Sequence, residues 1–168
     1  SSFRGINSTY ADSTYIYHNT INVNLQNTSN TGVQYGLYLL NQTNTMHVKN
    51  NNVFYSLGNI GVKYGIYCEV NNVFSTSNAL QRNNVFMGST QAGAQYAYYY
   101  NGSNYLTLPL FNAAFPTLEV GSTAVNPQYL NPLTFNYTPT NPLLVSNGEN
   151  LTTVVPEDIN RSTRPIPP

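Results

Sequence analysis

The chain has 168 residues with six basic and six acidic side chains, so it is neutral and only 7% charged, against roughly 25% in ordinary soluble domains. Six scattered cations cannot displace the counterions of a nucleic-acid duplex. A single Cys forms no internal disulfide or Cys-rich zinc centre, and no apolar run approaches the ~18 residues of a membrane span. In chain order, the sequence opens Ser-Ser-Phe, without Met or a charged-then-apolar leader. Phe3 to Ile6 then begins a register that recurs as Gly5-Ile6, Tyr35-Gly36-Leu37-Tyr38, Tyr64-Gly65-Ile66-Tyr67 and Tyr96-Ala97-Tyr98-Tyr99. Its steps are unequal but all close to ~30 residues, a repeat-like period. Between its members runs a second register. Asn19-Thr20-Ile21, Asn51-Asn52-Val53 and Asn83-Asn84-Val85 are equally spaced, and the same offset relates Ile16, Val48 and Leu80, and Phe54 with Phe86. Tyr35 to Leu40 and Met46 to Tyr55 read as β-type runs between Asn- and Gly-rich corners. All ten prolines lie at or after Pro109, and nine of the eleven glycines lie before it. Residues 1–105 can therefore bond every backbone amide in stacked strands. Residues 106–168 repeatedly lose donors and read as an irregular capping wrap. The best helical candidate is Leu110 to Leu118, limited by Pro116.

A period of 20–50 residues marks solenoids, propellers or arrays. The composition, with 27 Asn, 18 Thr, 13 Ser and 15 Tyr, disfavours helical solenoids. A propeller blade needs about 40 residues and four antiparallel strands. The fold class expected is all-β: a parallel β-helix of about three to four coils. Coils stacked at the ~4.8 Å strand spacing place equivalent residues on one another. Like charges would then repel in columns, whereas Asn side chains can bond amide to amide and tolerate left-handed corners. Asn19, Asn51 and Asn83 are the expected Asn ladder. Ile16/Val48/Leu80 and Ile21/Val53/Val85 are expected inside. Strict alternation puts Tyr35, Leu37 and Leu39 on one face and Gly36, Tyr38 and Leu40 on the other. The inward stacks are then Leu37/Ile66/Tyr98 and Leu39/Cys68/Tyr100, with Cys68 a small buried hydrophobe.

The coil phrases YIYHNTINV, VKNNNVFYS and LQRNNVFMG resemble the right-handed parallel β-helix repeats of the pectate-lyase-like superfamily, as found in large secreted and surface proteins of Bacteroidota-type bacteria. In that family the last coil is often followed by D-P-x-[FY], S-P-[LA]-[IL], a Gly and D-I-[DN]-G-x-x-R-P. The matching residues are Asn126-Pro127-Gln128-Tyr129, Asn141-Pro142-Leu143-Leu144, Gly148, and Asp158-Ile159-Asn160 with Arg164-Pro165. Asn126, Asn141 and Arg161 depart from the pattern. The resemblance, with the right-handed bias of parallel crossovers, implies the handedness. It also implies export, with the type IX secretion machinery as a partner. Phe3 to Ile6 sitting in register reads as coils continuing upstream, making this the C-terminal end of a longer solenoid.

Reactive groups are sparse. Glycosidases need two carboxylates at a set separation, and calcium sites need acidic clusters. The acids are Asp12, Glu69, Glu119, Glu149, Glu157 and Asp158. Only Glu157 and Asp158 adjoin, on an extended segment that points them apart, where a solvated turn or an ion pair of Asp158 with Arg161 or Arg164 is the plainer reading. His18 aligns with Asn50 and His47 with Tyr15, so the two histidines do not stack and lack Cys or carboxylate neighbours. Lys49 and Lys63 are single charges, and Arg82 falls in the His18/Asn50 column. No phosphate loop, Ser-nucleophile motif or H-E-x-x-H occurs. Seven N-x-[ST] sequons, among them Asn7, Asn27, Asn41 and Asn101, are what so Asn- and Thr-rich a chain gives by chance.

Tyr38, Tyr67 and Tyr99 remain, as an outward stack. Rings on a polar, low-charge surface can pack on sugar C–H faces while Asn and Thr bond hydroxyls; the plainer reading has the tail or a loop packed over them. The expectation is a non-catalytic segment of a secreted or cell-surface bacterial protein, an adhesin-type or structural spacer touching polysaccharide or cell-surface glycan, with no cofactor, metal or catalytic residue. The alternatives are the C-terminal fragment of a polysaccharide lyase or glycosidase whose catalytic coils lie upstream, and a phage fibre segment.

Overall fold

The computed structural model describes residues 2–24, 26–40, 46–69, 79–145, 147–157 and 161–163. The chain makes β1 (Phe3–Thr9), β2 (Thr14–Tyr17), β3 (Thr20–Val23) and β4 (Gln26–Asn27). It repeats the sequence of strands as β5 (Gln34–Leu40), β6 (Met46–Lys49), β7 (Asn52–Tyr55) and β8 (Gly58–Asn59). A third pass gives β9 (Lys63–Cys68), β10 (Leu80–Gln81) and β11 (Asn84–Met87), followed by β12 (Gln95–Tyr100) and β13 (Ser103–Tyr105). Each pass visits the same sheets in the same order. The first sheet is β1-β5-β9-β12-β13, the second holds β2, β6 and β10, and the third holds β3, β7 and β11. All pairings among these strands are parallel except β12 with β13, which is antiparallel.

The unequal spacing of the sequence repeat is absorbed between sheets, not within them. In the first sheet Ile6 pairs with Leu37, Leu37 with Ile66 and Ile66 with Tyr98, so the uneven steps of the sequence become one even column. In the second, Ile16 pairs with Val48 and Val48 with Leu80; in the third, Ile21 pairs with Val53 and Val53 with Val85. These columns, with Leu39, Cys68 and Tyr100, contribute to one core. Cys68 is a free, buried thiol.

Alternation in the first sheet departs from expectation. Tyr35 does not share a face with Leu37. Its ring lies 4.7 Å from that of Tyr38, edge to face, on the outer side, while Gly36 and Leu37 are both buried. The reason is the glycine column. A Cβ on Gly36 would collide with the Val53 side chain and stand 2.6 Å from Gly65 O, and one on Gly65 would collide with Val85. With no side chain at that position, the third sheet's valines close on the first sheet's backbone, and two consecutive residues face inward.

The left-handed corner also falls one residue earlier than the Asn ladder. His18, Asn50 and Arg82 have φ of 56°, 56° and 55°, and Gly121 continues the column at 69°. The first three turn the chain from the second sheet into the third, and the residues that follow the four corners are Asn19, Asn51, Asn83 and Ser122.

The tail is less irregular than its prolines imply. A helix, α1 (Leu108–Ala114), begins two residues before the expected Leu110 and ends well before Leu118. Its N-cap is Thr107, whose side chain accepts from Leu110 N, and Pro109 sits in its first turn. Proline is tolerated there because first-turn amides have no intrahelical acceptor. Phe115, the residue before Pro116, caps the other end. β14 (Glu119–Val120) then pairs in parallel with β10, and Thr123 bridges Asn84. The second and third sheets thus gain another layer beyond the composition break at 105/106. After it come β15 (Tyr129–Asn131), a 3₁₀ turn over Pro132–Thr134, β16 (Asn136–Pro139) and α2 (Pro142–Val145). No described helix is long and apolar enough to cross a membrane.

Candidate functional site

The outer face of the first sheet carries two files of tyrosine. Tyr38, Tyr67 and Tyr99 stack nearly face to face, with centroids 5.3 Å and 4.3 Å apart and planes within 13° and 8°. Tyr35, Tyr64 and Tyr96 form a second stack at 5.6 Å and 5.3 Å. The files interlock edge to face, Tyr64 against Tyr67 at 5.0 Å and Tyr35 against Tyr67 at 5.0 Å. The Arg4 guanidinium lies over the Tyr38 ring, 4.2 Å from its centroid. All six rings are half-buried.

This geometry alters the expected sugar platform. Rings stacked along the repeat axis cover one another's facing sides, and Arg4 covers the outer face of Tyr38. Along the files the surface offers ring edges and phenol oxygens rather than flat faces. Burial raises the Tyr67 phenol above its ordinary range, helped by the Glu69 carboxylate, and burial likewise raises Tyr35 and Tyr64. Those hydroxyls stay protonated donors. The described tail docks elsewhere. Tyr129 packs edge-on against Phe54 at 5.3 Å, where Phe54 stacks on Phe86. Glu149 pairs with Lys49 at 3.0 Å and exchanges two backbone bonds with the Asn50 amide, and Arg82 donates to Asn147. These contacts follow the corner column and the third sheet.

Asn19, Asn51 and Asn83 come together inside the corner. Asn19 Nδ2 donates to Asn51 Oδ1 at 2.9 Å, and Asn51 Nδ2 donates to Asn83 Oδ1 at 3.1 Å. Each of these Oδ1 atoms also accepts the backbone N–H of the preceding ladder residue, at 3.1 Å in both cases. Asn83 N–H goes to Ser122 Oγ at 2.7 Å, so a serine ends the file.

The remaining polar candidates are structural in their contacts. His47 stacks on Tyr15 at 5.4 Å, and burial, then Lys49, lowers its basicity. His18 Nε2 is 3.5 Å from Asn50 Nδ2. Lys63 is fully buried, and its ammonium donates to Gly61 O and Ala92 O. Glu157 bridges Thr163; Asp158 and Arg164 lie outside the described residues. Among the described residues no three His, Cys, Asp or Glu side chains gather as a metal site would.

One group escaped the sequence reading. Glu119 occupies the core column Ile16/Val48/Leu80 and is 4% exposed. It accepts from Tyr98 OH at 3.0 Å and from Ser122 Oγ, and burial pushes its carboxyl up to about 7. Aligning Gly121 with the left-handed corner would have revealed it, because that alignment continues the repeat into the tail. Compared with models of protein families, with curated proteins and with solved structures, the chain has no match.

Proposed function

We propose that the repeated region is a right-handed parallel β-helix of the pectate-lyase-like type. We propose further that it serves outside the cell as a non-catalytic, adhesin-type or structural segment whose tyrosine face contacts glycan. The observation that carries the second step is the six-ring double file, half-exposed on one sheet face. Three sheets visited in fixed cyclic order, with parallel registers from one pass to the next, support the first. Because the ring faces between layers are occupied, contact runs through phenol hydroxyls and ring edges, with sugar hydroxyls as their partners.

A glycan array tests this with a triple variant, Tyr38→Phe, Tyr67→Phe and Tyr99→Phe. The stacks keep their rings and lose only hydroxyls. Binding of the parent chain, weakened roughly tenfold or more in the variant at unchanged melting temperature, is expected. Equal binding by both, or binding by neither, would refute the glycan face. Product release from pectin or alginate by this chain would refute the non-catalytic reading.

A further inference from the structure

Every ring of the double file touches a ring of its own kind. Tyr67 lies at the centre: it stacks on Tyr38 and Tyr99 in its own file and meets Tyr35 and Tyr64 edge to face. The contacts are not equal. Tyr67 and Tyr99 are opposite residues of the parallel strands β9 and β12, which makes them close neighbours on one sheet face. Their centroids are 4.3 Å apart and their planes lie within 8°. The other face-to-face contacts of the files are wider, from 5.3 Å to 5.6 Å. Exposure singles out different residues. Tyr10 and Tyr15 are 76% and 63% exposed, whereas the six rings of the files are half-buried. Contact geometry and exposure therefore name different tyrosines for any chemistry that joins two phenols.

We propose that Tyr67 and Tyr99 form a site of oxidative cross-linking, joined ring to ring as dityrosine by a peroxidase-type one-electron oxidant with hydrogen peroxide as the electron acceptor. Each phenol gives up one electron and its hydroxyl proton and becomes a phenoxyl radical. The two radicals pair into one carbon–carbon bond between a Cε atom of each ring, and the hydrogens displaced from those carbons return to the two oxygens. The balance is two hydrogens lost with their electrons to one peroxide, which leaves as two waters. An electron lost from any ring of the files is replaced from its neighbour, a residue of the same kind, so the radical reaches the closest pair from the others. The bond ties β9 to β12 in a chain whose single Cys can form no internal disulfide, and constrains the unfolded chain as a disulfide does. The inference rests on ring geometry and is independent of glycan binding.

The test treats the dilute chain with a haem peroxidase and hydrogen peroxide. The expected product is a monomer lighter by two hydrogens, with dityrosine fluorescence, that yields on digestion a peptide pair joined at Tyr67 and Tyr99. Tyr99→Phe keeps the stacked ring and forms no phenoxyl radical there, so that product is expected to disappear. The double variant Tyr10→Phe, Tyr15→Phe is expected to leave its yield unchanged. Absence of a lighter monomer would overturn the proposal, as would a product that survives Tyr99→Phe. Dityrosine found only between chains, through Tyr10 or Tyr15, would also overturn it, by showing that exposure and not contact selects the site.

Discussion

Asparagine does different work in the two regions of this molecule. Within the stacked sheets it bonds across layers: Asn19 to Asn51, Asn51 to Asn83 and Asn84 to Asn52 each join residues 32 apart. In the tail, apart from Asn147, which meets Arg82 and Gly121, it bonds mostly close to itself. Asn126, Asn136, Asn141 and Asn150 each accept from the backbone N–H two residues on, as Asn27 and Asn30 do where the chain leaves the sheets after β4. The same side chain thus serves as a long-range rivet or a local turn-maker, and the neighbourhood decides which. Where an equivalent amide lies one layer away, the cross-layer bond forms inside the protein. Where proline follows, as at Asn126 and Asn141, the chain is already bent and the short Asx turn forms at the surface.

The sharpest way to break this comparison is Asn51→Ala. Asn51 is 2% exposed, and its loss strands Asn19 N–H and Ile16 O and takes from Asn83 Oδ1 one of its two donors, leaving the backbone N–H of residue 51. A loss on the order of 4 kcal/mol in chemical denaturation is expected. A value near that of a tail substitution would show the ladder to be incidental.

Glu119 couples the two regions through pH. Its folded carboxyl titrates near 7 against an ordinary 4.5, so between those values the folded state holds a proton that the unfolded state has released. Its contribution is full below pH 4.5 and is lost as pH rises through 7. A fall of roughly 3 kcal/mol across that window is expected, with Glu119→Gln flattening the profile in a melting series. A variant profile as steep as the parent's would assign the pH dependence to other groups.

Asn141→Ala should cost about 1 kcal/mol, since it removes an exposed turn bond and one to Asn126 O. Smaller still is the Lys49–Glu149 pair, for which a double-mutant cycle should return less than ~1 kcal/mol.

Much of the repeated region was legible because its signal is one-dimensional. Columns such as Ile16/Val48/Leu80 need only equal spacing, and His18 meets Asn50 and His47 meets Tyr15 as the spacing predicts. Legibility ended where a third element intervened. Tyr35 turned outward because the Gly36 column lets Val53 approach, a contact between sheets that alternation along one strand cannot express. Glu119 was hidden because the repeat step lengthens between Leu80 and Glu119, and the prolines obscured the continuation.

The strand registers and the apolar columns were already written in the chain, because stacking turns a period along the chain into neighbours in space. What the tyrosines present, how the ladder ends at Ser122 and that a carboxyl sits inside the core came from the packing of the sheets and the tail. Those depend on how the sheets approach one another and on where the tail lies, and neither distance is written in the repeat.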